Sequence, residues 1–200
     1  MLLAVAVTVT VLVYLDRNGY FTFQNSGDRR GSRNQAGRAE NPDIEKYHNR
    51  TFLVTRSIDG DTFDINAGDG QHRSTRVRLI GVDTPEIHRN RFGKITGYQH
   101  YAREASDFTK RMTFQKTVRL ELAEGQTRDN TDSRRLLAYV YLQDGLMLNR
   151  ELVARGYGYA DPRFGHRHMK VFKNLMRFAR KNKNGLWKNP KDLPWYIKNK

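Results

Sequence analysis

Five short segments, each alternating or continuously apolar and each bounded by turn-forming residues, limit what this chain can fold into. Thr51–Ile58 is the first, and Asp59-Gly60 turns the chain into a second through Phe63 and Ile65. Arg76–Ile80 is a third. Val118, Leu120 and Leu122 alternate as a fourth, and Leu136–Leu142 is a fifth. Between them, Tyr101, Ala105, Phe108 and Met112 recur at helical spacing, which predicts a helix from 98 to about 113. A short helix around Leu148–Arg155 closes at Gly156, and Met169, Phe172, Leu175, Met176 and Ala179 share one face of a last helix near 165–182. The pattern predicts an α+β domain: a five-stranded barrel of the OB type with about three packed helices.

The domain is expected to occupy 50–190, followed by a basic tail at 191–200. Ahead of it, 16–49 read as a polar, Gly-containing linker. The chain opens on Leu2–Leu15, fourteen residues without a charge. That is short of the ~20 needed to span a bilayer and closer to the apolar core of a signal peptide. It reads as an export signal or a membrane anchor, which implies a secreted, periplasmic or membrane-tethered protein.

Charge narrows the partners. The net charge is +15, and residues 51–200 carry 29 Lys/Arg against 16 Asp/Glu. Such a field attracts polyanions, of which nucleic acid and anionic membrane are the two candidates. The absence of cysteine excludes disulfides, thiolate metal sites and cysteine nucleophiles.

The acids are sparse, yet they cluster. Asp59 and Asp61 flank Gly60, and Asp83 and Glu86 sit in Gly81-Val-Asp-Thr-Pro-Glu86 after the third strand. Carboxylate and carbonyl oxygens at strand ends suit a hard cation such as Ca²⁺, with Mg²⁺ and Mn²⁺ equally compatible in donor chemistry. Arg78 and Arg135 are guanidinium groups of the kind that grips non-bridging phosphate oxygens with paired hydrogen bonds. Asp59 reads as shaping the turn beside the site, and Asp64 as a solvated strand position. His166 and His168, two apart on a predicted helix, do not share a face and read as surface residues.

In order, the chain carries Asp-Gly-Asp-Thr, Arg-Leu-Ile-Gly-Val-Asp-Thr-Pro-Glu, Arg-x-Leu-Ala-Tyr and Asp-Gly-x-x-Leu-Asn-x-x-Leu-Val-x-x-Gly. With Glu104-Ala-Ser-x-Phe-Thr-Lys110 and Gly185-Leu-Trp187, this series resembles the staphylococcal nuclease (thermonuclease) family from about Phe52 to Trp187. The resemblance implies a Ca²⁺-dependent nuclease that cleaves DNA and/or RNA and leaves 3′-phosphate ends, and nothing in the sequence demands more than a monomer. By the same resemblance, Asp61, Asp83 and the Thr84 carbonyl would hold the ion. Glu86 would act as general base or orient the water, and Arg78 and Arg135 would clamp the phosphate. The chain departs from the family where Ser133-Arg134 replaces Tyr-Gly before the second arginine, so Arg134 stands as a competitor to Arg135. Tyr157, Tyr159, Lys170 and Lys173 are candidate substrate contacts. A basic stripe from Arg163 to Lys183 would hold a polyanionic backbone. The alternative function is a non-catalytic nucleic-acid-binding OB module.

Overall fold

The structure, a computed structural model, describes residues 41–163 and 165–193. The apolar segment, most of the linker and the tail beyond 193 lie outside them. In chain order the elements are α1 (Pro42–Tyr47), β1 (Arg50–Ser57), β2 (Thr62–Ile65), β3 (Thr75–Leu79), β4 (Val82–Asp83), β5 (Ile87–Arg89), β6 (Ile95–Tyr98) and α2 (Ala102–Thr113). They continue with β7 (Thr117–Leu122), β8 (Leu136–Tyr141), α3 (Leu148–Ala154), β9 (Tyr159–Ala160) and α4 (Met169–Lys181). Two 3₁₀ turns follow, Gly185–Lys188 and Pro190–Asp192.

The five predicted strands form a closed barrel in the order β1-β2-β3-β8-β7, sealed by β7 against β1. All pairings are antiparallel except β3 with β8, which run parallel with Val77 opposite Leu136. On β7, Val118, Leu120 and Leu122 point inward, as their alternation requires. β8 is buried along nearly its whole length because α3 packs outside it. The buried side chain of Asn149 staples the two: it accepts from Val140 N (2.9 Å) and donates to the carbonyls of Ile80 (3.0 Å) and Ala138 (3.1 Å).

Three features differ from the sequence expectation. Residues 42–47, read as linker, form α1: Asn41 caps it, Pro42 fills its first turn, and Tyr47 is buried with its hydroxyl paired to Thr75 Oγ1. Arg128 ties Asp43 of α1 to Asp69 at 2.7 and 2.6 Å, so one ring and one ion-pair network hold a segment that carries almost no apolar signal. Second, α2 begins at 102 instead of 98, because Ile95–Tyr98 pairs with Ile87–Arg89 as a hairpin. Third, α4 begins at 169 instead of 165; with α1 added, the described residues hold four α-helices around the barrel where about three were expected.

The end of α3 crosses the turn after α4 backbone to backbone. Gly156 and Gly185 both take positive φ (73° and 52°), and Leu186 N donates to Gly156 O at 2.9 Å. A Cβ on Gly185 would stand 2.3 Å from the Gly156 carbonyl oxygen. The Gly185→Ala variant is expected to lose about 2–5 kcal/mol, combining left-handed strain with the clash. Urea unfolding checks this, and a destabilisation below about 1 kcal/mol would show that the crossing can open without cost.

Candidate active site

Two turns converge at one end of the barrel. The β1–β2 turn supplies Asp59 and Asp61; the loop after β3 supplies Asp83, Thr84 and Glu86. They approach closely because Gly60 has no side chain: a Cβ there would lie 2.6 Å from Thr84 Oγ1. From below, Thr109 of α2 donates its hydroxyl to Gly60 O at 2.6 Å, a role the sequence does not advertise. Asp59 Oδ1 accepts from Asp61 N (3.1 Å) and so shapes the turn as expected.

Arg78 sits at the centre, 5% exposed. It donates to the carbonyls of Val82 (2.6 Å) and Leu79 (3.1 Å), and pairs with Asp61 at 3.0 Å and Asp83 at 2.7 Å. Asp61 Oδ2 also accepts from the amide and hydroxyl of Thr84 at 2.8 and 3.0 Å. Asp83 is further bound by Arg163 at 2.8 Å and by the Tyr159 hydroxyl. Glu86 is exposed at the rim, and its backbone is held on both sides by Gln99: Gln99 N donates to Glu86 O, and Glu86 N donates to Gln99 Oε1, both at 3.0 Å.

Arg135, at the mouth of β8, is aimed by Asp129, which accepts its Nε at 2.6 Å and its backbone N at 3.0 Å. The guanidinium reaches Thr62 Oγ1 at 3.5 Å, and that hydroxyl donates to Asp61 Oδ1 at 3.0 Å. Arg134 is exposed in a turn with φ of 41°, its carbonyl accepting from Arg128. The neighbouring arginines are thus separated by geometry, and Arg135 alone of the two reaches the hydroxyl that bonds Asp61. Sequence reasoning misses Asp129; its signal is an acid inside an arginine-flanked loop.

The carboxylates load one another. Burial first, then the charges of Asp61 and Glu86, push Asp59 up to about 8. Asp83 is raised by burial against the pull of Arg78, and Glu86, partly desolvated at the rim, is raised further by the charges of Asp61 and Asp83. Among the described residues no three His, Asp or Glu side chains form a ready-made metal cage. The donor set nevertheless fits a hard divalent cation: an excess of carboxylate oxygen, concentrated enough to raise its own protonation, with carbonyl oxygens beside it.

The remaining candidates are placed apart. Tyr159 is buried, its hydroxyl spent on Asp83, and so cannot offer a face for base stacking. Tyr157 stacks on Phe108 at 4.5 Å between α2 and α3. Lys170 and Lys173 are exposed on α4. Asp64 is buried and paired with Arg76 at 2.9 Å, so it is not a solvated strand position.

His166 and His168 are not surface residues either. His168 packs edge-on to Tyr139 at 4.7 Å, and the buried ring nitrogens of His166 lie against Gly81 and Phe172. Both imidazoles are held below their usual value, by burial first; His168 also opposes His166, and Arg167 opposes His168. The neutral ring is therefore the native form, and unfolding frees it to protonate near its ordinary ~6.5. Stability present above that value should fall as pH drops below it. The loss of Tm between about pH 7.5 and 5 is expected to be smaller for His166→Phe than for the native protein. Equal losses would remove His166 as a contributor.

The family model described as "Staphylococcal nuclease homologue" matches residues 76–189, more than half of the chain. The chain is 34% identical over 156 residues to a thermonuclease of Staphylococcus hyicus, covering 78% of this chain and 86% of the relative. It is 37% identical over 156 residues to a thermonuclease of Staphylococcus intermedius, covering 78% and 75%. An uncharacterised protein of Methanocaldococcus jannaschii is 27% identical over 163 residues, covering 72% of each. The closed barrel with its flanking helices agrees with these matches, and the chain belongs to the staphylococcal nuclease family as a nuclease.

Proposed function

We propose that the protein is a Ca²⁺-dependent nuclease hydrolysing phosphodiester bonds of DNA and RNA to 3′-phosphate ends. The observation that carries this reading is the convergence of two arginines on one carboxylate cluster: Arg78 from beneath, and Arg135 from the barrel mouth through Thr62. Asp61, Asp83 and the Thr84 carbonyl would hold the ion, which when bound supplies positive charge to the scissile phosphate. Arg78 and Arg135 add hydrogen bonds to the non-bridging oxygens, where charge builds in the transition state. Glu86 takes a proton from the attacking water as its oxygen bonds to phosphorus. The P–O5′ bond breaks, the departing O5′ takes a proton from solvent, and a 3′-phosphate and a 5′-hydroxyl remain.

The basic residues leading into and along α4 would hold the backbone of the strand. Arg163 and Arg167 are committed to carboxylates and Arg180 lies over the Trp187 ring. Lys170, Lys173, Arg177 and Lys181 remain exposed at spacings of three and four, one helical face. Neutralising these four is expected to weaken strand binding and to flatten its salt slope by about 0.7 for each phosphate no longer neutralised. An unchanged slope would assign the face to solubility.

The deciding experiment uses protein beginning at Glu40, which keeps α1 and its Arg128 network, with denatured DNA and RNA in Ca²⁺, Mg²⁺ or chelator. Cleavage in Ca²⁺ that chelator abolishes, with 3′-phosphate termini, is the expected result. Substrate bound yet intact in every condition would move the protein to the non-catalytic module.

A further inference from the structure

One residue beyond Glu86 the chain enters β5, and with it a cleft of about 350 Å³ that the proposed chemistry does not use. Its walls are the end of β1, the β5–β6 hairpin and the outer face of α2. Arg56, Arg89, Arg103 and Lys110 line it against a single acid, Asp107. Arg89 is structural: it donates to Gly93 O and Ile58 O, pinning the hairpin to the loop that leads into Asp59. The other three cations are exposed.

The hairpin also displays aromatic surface. Tyr98 is 41% exposed with the Arg103 guanidinium 4.7 Å over its ring, and Phe92 at the tip is 78% exposed beneath Arg91. The tip is a built turn. Asn90 Oδ1 accepts from the amides of both Phe92 and Lys94 at 3.0 Å, and Gly93 N donates to Asn90 O at 2.9 Å. A rigid turn that holds a phenylalanine in water, beside a cationic cleft, offers what an unpaired nucleotide uses: a stacking face and a phosphate anchor. The volume lies at the small end of ligand clefts, ~300–1,000 Å³, enough for about one nucleotide.

We propose that this cleft and hairpin form a subsite for single-stranded nucleic acid outside the cleavage centre. Arg56, Arg103 and Lys110 hold phosphates, and Tyr98 and Phe92 stack bases of a strand running away from Glu86. The inference rests on the nuclease reading only in naming the strand as substrate. It makes the enzyme favour longer, unpaired substrates, because a dinucleotide filling the centre cannot reach the hairpin.

The test uses the full chain with two variants, Phe92→Ala and the triple Arg56→Gln/Arg103→Gln/Lys110→Gln, each checked for an unchanged melting temperature. Fluorescence anisotropy in chelator, where cleavage is not required, follows a labelled twelve-residue oligothymidylate and a duplex of equal length. Phe92→Ala is expected to weaken single-strand binding about tenfold and duplex binding far less. The triple variant should flatten the single-strand salt slope by about 0.7 for each phosphate it no longer neutralises. Cleavage of a dinucleotide ester in Ca²⁺ should stay as in the native protein. Single-strand affinity within twofold of native in both variants, or an equal loss for duplex, would overturn the subsite. Failure of the nuclease reading shows differently, as a native protein that cleaves nothing in Ca²⁺ while the anisotropy differences stand.

Discussion

Glu86→Gln is expected to lower kcat about 10²–10⁴-fold, the usual worth of a positioned general base. Its fold should survive intact. The Glu86 side chain is exposed, and its links to Gln99 run through the backbone amide and carbonyl, which the substitution keeps. Partial desolvation at the rim and the charges of Asp61 and Asp83 raise its carboxyl, so neutralising it removes repulsion and should leave Tm unchanged or slightly higher. The base works only when ionised. Activity in the native enzyme should therefore rise with pH through the elevated Glu86 value and level off above it, as measured by kcat/KM against pH. Activity of Glu86→Gln within twofold of native would remove Glu86 as the base.

Arg78→Met should damage both stability and chemistry. Methionine matches the length of the stem yet leaves Asp61 and Asp83 facing each other without their shared cation, and the Val82 carbonyl without its short donor. Breaking a buried pair from one side typically costs about 3–5 kcal/mol, roughly 6–20 °C in Tm for a chain of this size. Losing a phosphate donor adds about 10²–10³ in kcat. The two effects separate in a double variant. Adding Asp83→Asn to Arg78→Met should recover part of the stability and none of the activity, measured by thermal unfolding beside single-turnover cleavage. Full stability in Arg78→Met alone would mean that the carboxylates find another partner, with Arg163 already paired to Asp83.

The barrel was legible because its strands obey a simple rule: apolar residues alternate where one face is buried, as at Val118, Leu120 and Leu122, or run on where both are, as along β8. The hairpin of β5 and β6 obeys neither, since most of its residues are exposed. α1 was hidden for a related reason, a helix fastened by one tyrosine and an ion pair instead of an apolar stripe. At the proposed site, Asp61, Arg78, Asp83, Glu86 and Arg135 could be singled out in advance by the ordered motifs that announced the family. Their supports could not. Thr109, Gln99 and Tyr159 act across 49, 13 and 76 residues of chain, and nothing local marks a side chain whose partner is that distant.

The single parallel pairing of the barrel, β3 against β8, also sets when during synthesis the site can exist. Arg78 meets Asp61 and Asp83 among near neighbours, so an anionic nest around one arginine is available early to a chain growing from its N-terminus. Arg135 arrives only when Leu136–Ala138 docks beside Val77–Leu79. A chain halted before that point lacks the arginine proposed as the second phosphate clamp. On the proposed reading, the two-arginine grip on phosphate therefore waits for this one parallel pairing.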